Sequence, residues 1–170
     1  NLKRVYYSGY VPISDDNRLP VLGTAVPLIR ENRLYQADWL MRFYQFSIDE
    51  IINPLQPNLE LDIDPKLAWA LRNLHCFPID INKAEYRLIL RVPGIGIASA
   101  VKIAKARKFR QLGWDELRRF GIAVSRAKHF IVCSTNGKMP RDIDPIVLRS
   151  RILGQSKYAK TITPQQSLFE

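Results

Sequence analysis

Residues 88–108 read "LILRVPGIGIASAVKIAKARK", a proline and two glycines set between two runs with helical spacing. That interruption constrains the chain more than any other feature. The run before it starts at Asn82, a good N-cap with Glu85 three residues on. Within "KAEYRLIL" it offers Ala84, Leu88 and Ile89 for burial. Pro93 stops the helix, because proline has no amide donor and disfavours helical angles at Val92. Gly94 and Gly96 permit backbone angles closed to other residues. A second helix starts near Ile97, with Ala100, Ile103 and Ala104 on one side, small enough for two short helices to approach closely.

At the start of that second helix the leading N–H groups have no intrahelical partner, and the helix dipole adds partial positive charge. Main chain alone then makes an anion site, and glycine suits it because a side chain would hold a phosphate away. The expected contacts are Gly94, Ile95, Gly96 and Ala98, chiefly through the amides of Gly94, Gly96 and Ala98, with Arg91, Ser99, Lys102 and Lys105 beside them. Charge supports this. The chain carries +10, and residues 82–130 hold twelve Lys or Arg against three Asp or Glu, which leaves +1 for everything else. A positive field concentrated around the turn points to a polyanion partner. A plain helical corner on a solvated basic face is the bland alternative.

The segment echoes itself at an offset of 27: Leu90, Gly94, Ile95, Ala100 and Ile103 correspond to Leu117, Gly121, Ile122, Ala127 and Phe130. In the second copy Phe120 replaces Pro93 and Ala123 replaces Gly96. The second copy therefore reads as a degenerate partner, structural in role, with Arg118, Arg119, Arg126 and Lys128 supplying charge.

The stretch "DINKAEYRLILRVPGIGIASAVKIAKAR" resembles the helix-hairpin-helix motif of many DNA-repair and DNA-uptake proteins. The resemblance implies binding of a DNA phosphate without sequence preference, often through a monovalent cation, K+ or Na+, held by hairpin carbonyls. The matching carbonyls here are those of Leu90, Val92 and Ile95. Paired motifs of this kind commonly pack about a pseudo-two-fold axis, one on each strand of a duplex.

Elsewhere the chain is punctuated by helix signals. "RVYYSGYVPI" (4–13) reads as one strand ending at Pro12. Residues 28–44 have helical spacing, with Ile29, Leu34, Ala37, Leu40, Met41 and Tyr44 on one face. Ser47 and Glu50 are spaced as a capping box for a short helix ended by Asn53-Pro54. Asp64-Pro65 and Asp144-Pro145 each open a further helix, aspartate as cap and proline at the first helical position. A lone strand cannot satisfy its own ladder. It pairs either with a partner or with sequence lying before Asn1, and it is read here as the last strand of a missing sheet.

The expected class is mainly α: a paired helix-hairpin-helix domain preceded by helices and one remnant strand of a missing sheet. Residues 1–60 are the end of that missing N-terminal part plus connecting helices, 61–154 form the helix-hairpin-helix DNA-binding domain, and 155–170 form a flexible tail. No apolar run approaches bilayer length and no signal-peptide pattern opens the chain. Cys76 and Cys133 have no metal-like spacing and read as reduced thiols of a cytoplasmic protein, and no membrane partner is expected.

No catalytic or metal-binding set is assigned. His75 and His129 are isolated, Asp62 and Asp64 serve loop and cap, and Asp115 begins a helix after Gly113. Together, however, "RVYYSGYVPI", "LIRENRLYQADWLMRFYQF", "LDIDPKLAWALRN" and "FPIDINKAEYRLILRVPGIG" resemble the C-terminal part of a bacterial family of DNA modification/repair radical S-adenosylmethionine proteins. That resemblance implies that the missing part is an N-terminal α/β barrel whose last strand is the remnant here, holding a 4Fe-4S cluster and S-adenosylmethionine through a Cys-x-x-x-Cys-x-x-Cys that this chain does not contain. The chain alone is then expected to be catalytically silent. A self-contained nuclease or glycosylase and a protein-interaction module are the competing readings.

The tail ends "TPQQSLFE". Gln165-Gln166-Ser167-Leu168-Phe169 resembles the bacterial sliding-clamp binding pentapeptide, usually Gln-Leu-Ser/Asp-Leu-Phe, with Gln166 departing from it. The resemblance implies that Leu168 and Phe169 fill a clamp pocket while Gln165 hydrogen-bonds at its rim.

Overall fold

The computed structural model describes residues 5–26, 28–133 and 144–154. It is mainly helical and divides into two compact units, residues 1–65 and 66–170. No described helix is long and apolar enough to cross a membrane.

The first unit holds α1 (Leu28–Phe43) and α2 (Ile48–Ile51). Ala37 and Leu40 are the buried positions of α1 and lie on the expected face, on which Leu34, Met41 and Tyr44 are partly buried, while Ile29 is exposed. Glu50 accepts the Ser47 N–H at 2.9 Å, so the capping pair fixes the start of α2. Residues 5–13, read as a strand, form no ladder with any of the described residues. Side chains of α1 take three of its backbone groups. The Tyr7 N–H donates to the Tyr35 hydroxyl at 3.0 Å, that hydroxyl donates to the Tyr7 carbonyl at 2.9 Å, and the Gly9 N–H donates to Glu31. The two tyrosine rings meet edge-on. Those three backbone groups are satisfied by α1 side chains rather than by a neighbouring strand.

The second unit begins at the second residue of α3 (Pro65–Arg72), followed by a single 3-10 turn at Leu74–Cys76. Next come β1 (Ile79–Asp80), α4 (Tyr86–Arg91), α5 (Ile97–Ala106), α6 (Trp114–Arg119), α7 (Val124–Ala127), β2 (Ile131–Val132) and α8 (Pro145–Gly154). The strands pair in parallel, Ile79 with Ile131 and Asp80 with Val132, so a two-residue sheet clasps the entry to α4 and the exit from α7. The Asp144 side chain accepts the Ile146 N–H at 2.7 Å and opens α8 as the Asp-Pro signal predicts.

Asn82 is not the cap of α4, which starts four residues later with Glu85 as its N-cap. Its amide reaches the connection between α5 and α6: Nδ2 donates to the Leu112 carbonyl at 3.1 Å, and Oδ1 accepts the Leu112 N–H at 2.8 Å. Arg107, at the end of α5, donates to the Ile81 and Ala84 carbonyls and ties α5 to the approach to α4.

The core of this unit is the repeat. Leu90 and Leu117, Ile95 and Ile122, Ala100 and Ala127, Ile103 and Phe130 are all buried. Each large member removes enough apolar surface from water to stabilise the fold by about 1.5–3 kcal/mol. Cys133 is buried beside them, and burial pushes its thiol pKa up to about 11.

Candidate nucleic-acid interface

The turn between α4 and α5 is built from backbone constraints. Val92 is extended, as a residue before proline prefers, and the Ile95 N–H donates to the Val92 carbonyl at 3.2 Å. Gly94 lies between them at φ +90°, a conformation that side chains resist. Gly96 caps α5 at φ −87°, which any residue can adopt, so the expectation that both glycines need special angles holds only for Gly94. Ile95 is buried and anchors the turn.

A second turn, between α6 and α7, is bonded to the first. The Ala123 N–H donates to the Gly94 carbonyl at 2.9 Å, and Ser99 Oγ donates to the Phe120 carbonyl at 2.9 Å. A Cβ on Gly94 would lie 2.7 Å from the Ala123 oxygen and 3.2 Å from the Arg126 Cβ. Gly94 is therefore glycine for two reasons, its positive φ and the close approach of the second turn. Ala123 corresponds to Gly96 in the repeat, and its amide is used internally.

The amides of Gly94, Gly96 and Ala98 have no acceptor among the described residues, and all three residues are at least partly exposed. They lead into the ten-residue α5, whose dipole places partial positive charge at this end. Nine of the twelve basic side chains in 82–130 are exposed, Lys102 and Lys105 of α5 among them, so most of the segment's charge faces solvent. Arg118 and Arg119 close α6 immediately before the second turn, which the Ala123 and Ser99 bonds hold against the first. Glu116 is set aside from this field as a cap. The Gly113 N–H donates to it at 3.0 Å and, ahead of the nearby Arg110 and Arg119, holds its carboxyl below the usual range.

Three expected contacts are withdrawn. Ile95 is 1% exposed, its N–H donates to Val92 and its carbonyl accepts Lys66. Arg91 is 2% exposed, its guanidinium 5.6 Å from the centre of the Trp69 ring. That is a cation–π arrangement inside the fold, not a surface contact. Ser99 is 6% exposed and committed to Phe120.

The carbonyl side of the turn differs from an alkali-ion cradle. Of the expected carbonyls, Val92 accepts the Ile95 N–H and Ile95 accepts Lys66 Nζ at 2.6 Å. Leu90 is buried. Lys66 was not among the expected site residues. Its one local signal is a cation next to Pro65 in a helix otherwise apolar until Arg72. Gln165, Leu168 and Phe169 lie outside the described residues.

No family model, curated protein or solved structure matches the chain.

Proposed function

We propose that the chain is a DNA-binding module that holds duplex DNA by its phosphates, using the Gly94-Ile95-Gly96 turn and the first turn of α5 as a helix-hairpin-helix motif does. The observation that carries this reading is the set of partly exposed amides without acceptors at Gly94, Gly96 and Ala98, in a segment of net charge +9. Donors of that kind recognise an anion's oxygens and read no base. The paired turns support a two-motif arrangement in which the second motif braces the first.

On the strength of the sequence resemblance, the module serves a radical S-adenosylmethionine protein of DNA modification or repair. The tail at Gln165–Phe169 tethers it to the sliding clamp. A tail peptide that binds the clamp no better than its Leu168→Ala, Phe169→Ala double variant would remove the tether.

The test of DNA binding is a titration of the chain with labelled duplexes of unrelated sequence across a range of salt. The expected result is similar affinity for each duplex, with log K falling by roughly 0.9 per decade of salt for each phosphate held. No binding at low salt, or affinity indifferent to salt, refutes the proposal. Cleavage of the duplex during the titration would favour a self-contained enzyme.

A further inference from the structure

Lys66 sits where a lysine is disfavoured. It occupies the first turn of α3, the end at which a helix dipole attracts anions and repels cations. Every residue from Pro65 to Leu71 is buried, and Lys66 itself is 9% exposed. An ammonium withdrawn from water is costly unless protein acceptors replace the solvent. Here Nζ donates to the Ile95 carbonyl at 2.6 Å, the short distance expected when the donor carries charge.

That carbonyl belongs to the Ile95–Gly96 peptide, which is trans. In a planar trans peptide the C=O and the N–H point in opposite directions. With its oxygen turned to Lys66, this peptide turns the Gly96 N–H away from Lys66. That N–H is one of the amides without an acceptor among the described residues. A cation on the oxygen draws electron density out of the peptide and makes the N–H a stronger donor.

We propose that the Lys66 ammonium is the turn's built-in cation, standing on the Ile95 carbonyl in place of K+ or Na+ and polarising the Ile95–Gly96 peptide toward a phosphate on its N–H side. An alkali ion on the same carbonyl would lie within a few ångströms of the ammonium, with like charges facing each other in a poorly hydrated place. The residues present therefore do not fit such an ion. A tethered ammonium also keeps its position at any salt composition, because its effective concentration is set by the fold. The proposal rests on the reading that phosphate binds at this turn.

The test uses the whole chain at fixed ionic strength in potassium, sodium or choline chloride, with two readouts: affinity for a labelled duplex, and thermal unfolding without DNA. The wild type should bind within about twofold in all three salts and unfold at one temperature. Lys66→Met should bind about tenfold more weakly in choline and recover part of that loss in potassium. Its unfolding temperature should be lowered, and raised again by potassium but not by choline. Lys66→Arg, which keeps the charge, should remain indifferent to the cation, and it serves if the methionine variant does not fold.

Wild-type binding or unfolding that strengthens markedly in potassium over choline overturns the proposal, and that arm needs no variant. Lys66→Met matching the wild type in both readouts overturns it as well. Absence of DNA binding by the wild type in every salt overturns the functional reading instead, and the unfolding readout then still decides the role of Lys66.

Discussion

The main-chain N–H of Ala123 donates to the Gly94 carbonyl at 2.9 Å, and no side chain fits at Gly94, because its Cβ would meet the Ala123 oxygen at 2.7 Å. The two turns of the repeat are thus locked backbone to backbone. A glycine that reads as a phosphate contact is first a packing residue.

Gly94→Ala should therefore act on stability. It combines a positive φ with a backbone clash and should cost about 2–5 kcal/mol. Urea unfolding measures this. A loss below about 0.5 kcal/mol, within the range of ordinary surface substitutions, would mean that the two turns are not packed as described.

Asn82→Ala removes both hydrogen bonds to Leu112 and leaves that main chain without its side-chain partner. The expected cost is about 2 kcal/mol. Asn82 lies away from the exposed amides in sequence and serves the α5–α6 connection. Duplex affinity of the folded variant should therefore keep the wild-type salt slope. A changed slope would place Asn82 in the interface.

His129 gives the fold a pH dependence. Its Nε2 is buried with no hydrogen-bond partner among the described residues. Burial first, then Lys128 and Arg151, lowers its pKa from 6.5. The unfolded chain takes up this proton more readily than the folded one, so the stability present above pH 6.5 is lost as the pH falls through the lowered folded value. Denaturant midpoints for the wild type should fall between about pH 7.5 and about pH 5.5 more steeply than those for His129→Asn, since only the wild type carries this group. Equal slopes would remove His129 from the account.

What the sequence made legible was local. The Ser47/Glu50 spacing, the two Asp-Pro helix starts and the Pro-Gly-Ile-Gly stop each act over three or four residues, and each lies where its pattern implies. Burial was less legible: of Ala84, Leu88 and Ile89, expected inside, only Ile89 is buried and the other two are partly exposed, while the matched apolar repeat positions are buried in both copies. The rest depended on partners distant in the chain. Nothing near Tyr7 announces that Tyr35 and Glu31 will take the backbone groups of a strand-like segment. Ile79-Asp80 is too short for a strand pattern and pairs only because the repeat brings Ile131 alongside. Asn82 has the chemistry of a cap, and Leu112 competes for it across 30 residues. Arg91 counts as surface charge until Trp69 is found beneath it. Lys66 reaches Ile95 across 29 residues, a relation that no spacing rule contains.

The most direct test of the central claim is the duplex affinity of Gly96→Asp. At φ −87° the backbone here is one that any residue adopts, and aspartate is a favoured helix N-cap. Its carboxylate would take the leading amides of α5 from within the chain and set a negative charge where the phosphate is to sit. Stability should be unchanged or raised by a few tenths of a kcal/mol. Duplex affinity at low salt should fall at least about tenfold, equivalent to about 1.4 kcal/mol. A folded Gly96→Asp protein that binds duplex DNA as tightly as the wild type would contradict the account.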